Sequence, residues 1–103
     1  MKRNWEEREL TEYWSLTHEE FELLTNRTSR SRLGFAALLK FFQLECRFPN
    51  DRREVPRLAL EYLAKQLKAL SDEFEEYDLE GRSCERDRAQ IRALLGFRPH
   101  STR

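Results

Sequence analysis

Arginine is the residue type whose placement in this chain points most directly to chemistry. Arg27, Arg30 and Arg32 fall in a stretch that is also rich in Ser, Thr and Asn, just before an apolar segment. Guanidinium groups, hydroxyls, amides and free backbone N–H groups all bind phosphate oxygens. The stretch is therefore a candidate contact with a phosphate backbone.

A second group of arginines lies near the C-terminus, on a predicted helix. Arg86 points away from the apolar side of that helix, and Arg88 and Arg92 flank it. Arginines projecting from an exposed helix surface suit DNA recognition, whereas ion pairs with Glu85, Asp87 and their neighbours are the alternative. The candidate DNA contacts are Arg27, Arg30, Arg32, Arg52, Arg53, Arg82, Arg86, Arg88 and Arg92. Among them, Arg52 and Arg53 are expected to be secondary contacts with the DNA backbone.

The formal net charge is zero, but the charges are distributed in blocks along the chain. Residues 26–60 hold eight basic and three acidic groups, and residues 81–103 hold six and two. Residues 1–25 and 61–80 are acidic, each with seven acidic groups. Because an electrostatic field depends on arrangement rather than on total charge, the fold can present a basic face. Random clustering of solvated charge is the alternative.

No other set of residues forms a catalytic or metal-binding pattern. His18 lies in an apparent capping turn, and His100 lies near the C-terminus. Cys46 and Cys84 lack CxxC spacing and a nearby His pair, so we expect reduced thiols. The three glycines are isolated and form no phosphate-binding loop. We predict no catalytic residue, no metal site and no cofactor.

Helices are the elements expected to position the arginines. Leu, Glu, Arg and Ala dominate, and only three Gly and three Pro are present. We predict an all-α fold, a compact bundle of five or six short helices in a single domain over residues 1–103, with a frayed tail at 100–103. No apolar run approaches the roughly 18 residues of a membrane span, and the first residues lack a signal-peptide core. A cytoplasmic protein without a membrane partner is expected.

The segment Leu33–Cys46 is predicted to be the central buried helix. It is apolar nearly all round, with Lys40, Gln43 and Arg47 on one narrow polar stripe. Pro49 disfavours helical geometry at the residue before it and so ends the helix.

Capping signals place the shorter helices around this segment. Thr17 and Glu20 form a capping box, Pro56 suits the first position of a helix, Ser71 and Ser83 suit caps, and Gly96 suits a left-handed terminator. Short helix, loop and Arg-rich helix over residues 71–95 are loosely similar to a helix-turn-helix. The buried positions expected on these helices are Leu10, Tyr13, Trp14, Phe21, Leu24, Ala59, Leu60, Leu63, Leu67, Leu70, Phe74, Tyr77, Ile91, Leu94 and Leu95.

Three ordered segments carry a family resemblance: Leu10–Thr17 (LTEYWSLT), Arg32–Phe42 (RLGFAALLKFF) and Ile91–Pro99 (IRALLGFRP). Together they resemble the N-terminal region of replicative transposases of the Tn-three family, over roughly residues 8–99. The resemblance implies a helical DNA-binding domain that recognises the terminal inverted repeats of a transposon as double-stranded DNA. It also implies a bacterial cytoplasmic protein that is nucleoid-associated when bound to DNA.

In that family the acidic, metal-binding catalytic residues lie far downstream, so we expect a non-catalytic domain or fragment of a transposase. Residues 83–87 are more acidic than the basic run expected there, which weakens the expected contact of this helix with DNA. The alternative function is a helical protein–protein interaction module or a truncated regulatory fragment. Under this alternative we also expect that the chain can associate with itself or contact a full-length transposase.

Overall fold

A computed structural model of the chain describes residues 4–25 and 27–96. This part of the chain contains five α-helices and two 3-10 helices and no β-strand, so the all-α prediction is confirmed. The predicted tail at 100–103 lies outside the described residues. The elements are α1 (Glu7–Tyr13), α2 (His18–Leu24), α3 (Ser29–Glu45), η1 (Arg52–Glu54), α4 (Arg57–Leu67), η2 (Ser71–Glu76) and α5 (Arg82–Leu94).

Helix α3 is the centre of the molecule, as its apolar sequence predicts. Every residue from 33 to 42 is buried, because α2, α4, η2 and α5 all contact this helix. The helix begins at Ser29, four residues earlier than predicted, since the Thr28 side chain accepts a hydrogen bond from the Ser31 N–H and caps its first turn. It ends at Glu45, and its C-cap Cys46 has a left-handed backbone with φ of 61°.

Lys40 was predicted to lie on a polar stripe of α3, but this prediction is wrong, because the residue is only 5% exposed. Its Nζ lies 2.8 Å from Glu20 Oε1 and donates to Gln43 Oε1 at 3.2 Å. Gln43 in turn donates to the second oxygen of Glu20. A carboxylate from α2 therefore satisfies the buried ammonium group, which is the condition for burying a charge.

The N-terminal helices add to the core, and α2 packs directly on α3. Thr17 and Glu20 form a capping box at the start of α2, so this prediction is confirmed. Trp14 is fully buried and Leu24 nearly so, and the Trp5 ring packs edge-on against Trp14 at 5.9 Å between centroids. These residues extend the apolar core beyond α3.

The chain from α4 to η2 packs on another side of α3. Pro56 is the N-cap of α4, one position before the predicted place, and Leu63 is fully buried. Leu70 was predicted to be buried but is 69% exposed, because α4 ends at Leu67 and the helical spacing does not continue to it. The following segment forms a 3-10 helix rather than an α-helix, and its N-cap is Leu70 rather than Ser71.

Tyr77, just after η2, packs against the backbone of α3 at Gly34. A Cβ atom added at Gly34 would lie 2.2 Å from Cδ1 of the tyrosine ring, well inside van der Waals contact. Glycine at this position therefore lets the ring rest directly on the α3 backbone.

Helix α5 packs on α3 with its buried residues Cys84, Asp87 and Ile91. Its N-cap is Gly81 instead of Ser83, and Gly96 ends it with the expected left-handed backbone at φ of 66°. The prediction of burial is wrong for Leu94, which is 45% exposed, and for Leu95, which is 40% exposed, since no described element covers the last turn of α5. It is also wrong for Tyr13 of α1, which is 44% exposed.

Candidate nucleic-acid interface

Arg82 and Arg86 lie one turn apart on α5, and both are exposed. Neither forms a hydrogen bond or ion pair with a described residue. Because the other side of α5 is buried through Cys84, Asp87 and Ile91, the helix is held by one face and presents the other outward. The two guanidinium groups are therefore available to an anionic ligand.

Arg27 has a different environment, at the contact between α5 and the start of α3. Its Nη1 donates to Asp87 Oδ1 at 2.9 Å, its Nη2 donates to Gln90 Oε1 at 2.7 Å, and its guanidinium lies 4.0 Å from the Phe35 ring centroid. Tyr77 donates to the second oxygen of Asp87 at 2.5 Å. Burial and the Asp87 carboxylate raise the pKa of Tyr77 far above its ordinary value, so the phenol stays a donor.

A polar cleft lies beside this contact, between the first turns of α3 and α5. We call it the α3–α5 cleft; its volume is about 240 Å³. The side chains that line it are Arg27, Ser31, Ser83, Arg86, Asp87 and Gln90. It brings together Arg27 and Arg86, two of the predicted DNA contacts that are far apart in sequence.

Arg32 and Arg52 bind backbone carbonyl groups at helix ends. Arg32 Nε donates to the carbonyl of Leu24 at 2.9 Å and Nη2 to that of Thr25 at 3.2 Å, where α2 ends. Arg52 donates to the carbonyls of Phe74 and Tyr77, where η2 ends. Unpaired carbonyls at a helix end require such donors, so both side chains stabilise the fold.

Arg88 and Arg92 meet on one aromatic ring. Their guanidinium carbons lie 5.5 and 5.2 Å from the Phe48 ring centroid, within cation–π range. Arg88 is half-buried and approaches the Pro49 carbonyl at 3.5 Å, whereas Arg92 is exposed. These two residues fasten α5 to the segment after α3, and Arg92 also faces solvent.

The predicted contacts thus fall into separate places and do not form one continuous row. Arg53 is exposed and pairs with its neighbour Asp51 at 3.3 Å. Arg30 belongs to α3 rather than to a loop before it, as does Arg32, and the Arg30 side chain lies outside the described residues. Arg82 and Arg86 are the predicted contacts that make no hydrogen bond, ion pair or ring contact with a described residue.

A family model described as a domain of unknown function, DUF4158, matches residues 1–103. The chain belongs to the DUF4158 family. No curated protein and no solved structure matches it.

The larger cleft of the DUF4158 domain, with a volume of about 440 Å³, lies between η1, α4 and η2. Its arginines are already engaged: Arg53 pairs with Asp51, Arg57 pairs with Glu61 at 3.1 Å, and Arg52 binds carbonyl groups. Two further acidic residues line this cleft, Asp72 and Glu75. Each arginine of this cleft therefore has a partner, whereas Arg86 of the α3–α5 cleft has none among the described residues.

Within residues 4–25 and 27–96 of the DUF4158 domain, no group of three His, Cys, Asp or Glu side chains is placed to hold a metal ion. His18 is exposed and lies 3.1 Å from Glu22, one turn along α2. No helix in the same ranges is long and apolar enough to cross a bilayer.

Three residues of the DUF4158 domain that build this site were not singled out as contacts from the sequence: Ser83, Asp87 and Gln90. Asp87 is only 5% exposed, and Arg27 lies 60 positions before it in the chain. Sequence spacing predicts helical neighbours three and four positions apart, but it carries no signal for a contact at that separation.

Proposed function

We propose that this chain is a DNA-binding domain whose α5 lies against duplex DNA and whose Arg82 and Arg86 contact it. The observation that carries the proposal is the pair of exposed arginines, one turn apart, without a carboxylate partner among the described residues. A helix buried on one face and free on the other fits the major groove, where arginine binds guanine or phosphate.

The class of DNA follows from the sequence resemblance. The segments shared with Tn-three family transposases favour the terminal inverted repeats of a transposon as the ligand, and family membership over residues 1–103 is compatible with that assignment. On this proposal the chain positions a transposase on transposon ends and contributes no catalytic residue. Residues Arg27, Arg32 and Arg52 hold the scaffold, and Arg92 extends the basic surface.

Fluorescence anisotropy of the 103-residue chain tests this proposal. The labelled duplexes carry the terminal inverted repeat of the element that encodes the chain, or the same bases scrambled. We expect tighter binding to the inverted repeat, and weaker binding in Arg82→Ala and Arg86→Ala by roughly 5- to 100-fold each, the range for a specific base contact. If an arginine contacts a phosphate instead of a base, its replacement by alanine should lower the salt dependence of binding by about one ion.

The matched control is Arg8→Ala, which removes one exposed arginine from α1. Its affinity for DNA should equal that of the wild type at each salt concentration. Equal losses in all three variants would show a nonspecific charge effect, and unchanged affinity in Arg82→Ala and Arg86→Ala would refute the proposed contacts.

A second candidate function, a protein–protein interaction module, is favoured by the exposed leucines at the end of α5. Leu94 and Leu95 are adjacent, apolar and uncovered by any described element. Light scattering of the chain alone distinguishes this candidate, since it requires a stable complex without DNA that the Leu94→Ser, Leu95→Ser double variant loses.

A further inference from the structure

We infer that the α3–α5 cleft binds a single phosphate group. The inference deepens the proposed function. If the chain binds DNA as proposed, the natural occupant of the cleft is one phosphodiester of the DNA backbone. The argument uses the donors, the charge and the size of the cleft in turn.

The cleft contains hydrogen-bond donors that the fold leaves unused. The Ser83 hydroxyl makes no hydrogen bond with a described residue. The Ser31 hydroxyl accepts a long contact from Arg27 at 3.4 Å and keeps its own hydrogen to donate. Gln90 turns its Oε1 toward Arg27, so its amide NH₂ remains as a donor.

The charge of the cleft favours an anion. The only carboxylate among its lining residues, Asp87, has both oxygens occupied, one by Arg27 and the other by Tyr77. Arg27 balances that carboxylate in charge, so Arg86 leaves the cleft with one uncompensated positive charge. An oxyanion here would receive charge-assisted hydrogen bonds, which are stronger than neutral ones.

Size and lining select a phosphate over other ligands. Pockets for drug-sized molecules start at about 300 Å³ and are mostly apolar, whereas this cleft has about 240 Å³ and is lined by polar side chains. Two hydroxyls, an amide and a guanidinium supply several donors, and the tetrahedral phosphate group presents its oxygens in more directions than a planar carboxylate does. The source of that group is either free phosphate or the backbone of a nucleic acid.

The first experiment probes the site with inorganic phosphate alone. The ¹⁵N-labelled chain is titrated with sodium phosphate at fixed pH and constant ionic strength, with sodium chloride as the reference salt. We expect saturable shifts confined to the amides of Ser31 and Ser83 and to the side chains of Arg86 and Gln90. Shifts absent or spread evenly over the surface would overturn the inference.

Variants assign the binding to the cleft. Arg86→Ala should weaken phosphate binding at least fivefold and the Ser31→Ala, Ser83→Ala double variant about as much, while Arg8→Ala should bind as the wild type does. All of these positions except Ser31 are exposed, so the spectra of the variants should retain the folded pattern. Equal weakening in Arg8→Ala would refute a defined site.

A DNA arm separates this inference from the proposed function. Methylphosphonate, which is uncharged, replaces one backbone phosphate at a time in the inverted-repeat duplex. At one position the substitution should weaken wild-type binding about tenfold and leave the Ser31→Ala, Ser83→Ala variant little affected. If DNA binds with no such position and without phosphate shifts, the inference fails and the function stands. If phosphate binds in the cleft but no duplex binds, the function fails, and free phosphate is the ligand.

Discussion

Asp87 of α5 and Arg27, which precedes α3, form an ion pair with 2.9 Å between oxygen and nitrogen, and Tyr77 donates to the other carboxylate oxygen. Both members are largely shielded from water, with side-chain exposures of 18% for Arg27 and 7% for Asp87. The pair therefore fixes how the exposed face of α5 is presented. Its removal should affect the fold and the candidate interface together.

Asp87→Ala should destabilise the chain by about 3 kcal/mol, because it leaves the guanidinium of Arg27 and the hydroxyl of Tyr77 without their buried acceptor. Urea unfolding followed by circular dichroism measures the loss. Glu85→Ala, an exposed acidic neighbour on the same helix, is the control and should change stability by less than about 0.5 kcal/mol. Similar losses in the two variants would contradict the role given to Asp87.

Gly34→Ala should cost about 1–3 kcal/mol, since the added methyl group overlaps the Tyr77 ring. In a Tyr77→Ala background the same substitution should cost much less, because the ring that it strikes is gone. A double-mutant cycle by urea unfolding gives the coupling energy. Additive effects would show that some other contact excludes the methyl group.

Acid should weaken the link between α2 and α3. Burial acts to raise the pKa of Glu20, but hydrogen bonds from Lys40, from the Thr17 backbone and from Gln43 outweigh it, and the pKa lies below the ordinary value of 4.5. A carboxylate whose pKa is lower in the folded state contributes stability above about pH 4.5 and loses it as the pH falls through the folded pKa. Urea midpoints measured from about pH 6 down to pH 3 should therefore fall, and Glu20→Gln should fall less.

The control for this measurement is Glu19→Gln, the same change of charge at an exposed neighbour. The urea midpoints of Glu19→Gln should fall with pH as those of the wild type do. Some pH dependence should persist in Glu20→Gln, because hydrogen bonds also hold the pKa values of Asp51 and Glu54 below their ordinary range.

The two cysteines should differ in reactivity. Cys46 is exposed, whereas Cys84 is buried, and burial raises the pKa of the Cys84 thiol. Because the thiolate is the reactive form, an aromatic disulfide reagent should modify one thiol quickly in the native chain and both in urea. Cys46→Ser should abolish the fast reaction. If Cys84→Ser abolished the fast reaction instead, Cys84 rather than Cys46 would be the accessible thiol.

Much of the fold could be predicted because its signals are local. The capping box of Thr17 and Glu20, the apolar run that becomes α3, and the terminator Gly96 all depend on residues close in sequence. The errors arose where packing decides the outcome. Lys40 is buried because α2 supplies a carboxylate, and Leu94 is exposed because no described element covers the last turn of α5.

The candidate site was harder to predict because arginine serves several purposes. The sequence singles out basic residues, but it does not separate Arg86, which remains unpaired, from Arg32, which binds the carbonyls at the end of α2. That distinction depends on which acceptors the fold brings within reach. The pairing of Asp87 with Arg27 was missed for the same reason, since Arg27 lies 60 positions earlier in the chain.

Tyr77 joins two parts of the molecule, because its ring rests on Gly34 and its hydroxyl holds Asp87. These three residues therefore help to hold α5 in place, and none of them lies on its outer surface. Exposed positions such as Arg82 and Arg86 can change during evolution while that geometry persists. On the proposed function, a scaffold of this kind would let the DNA sequence that α5 contacts change without any change in the packing that holds the helix.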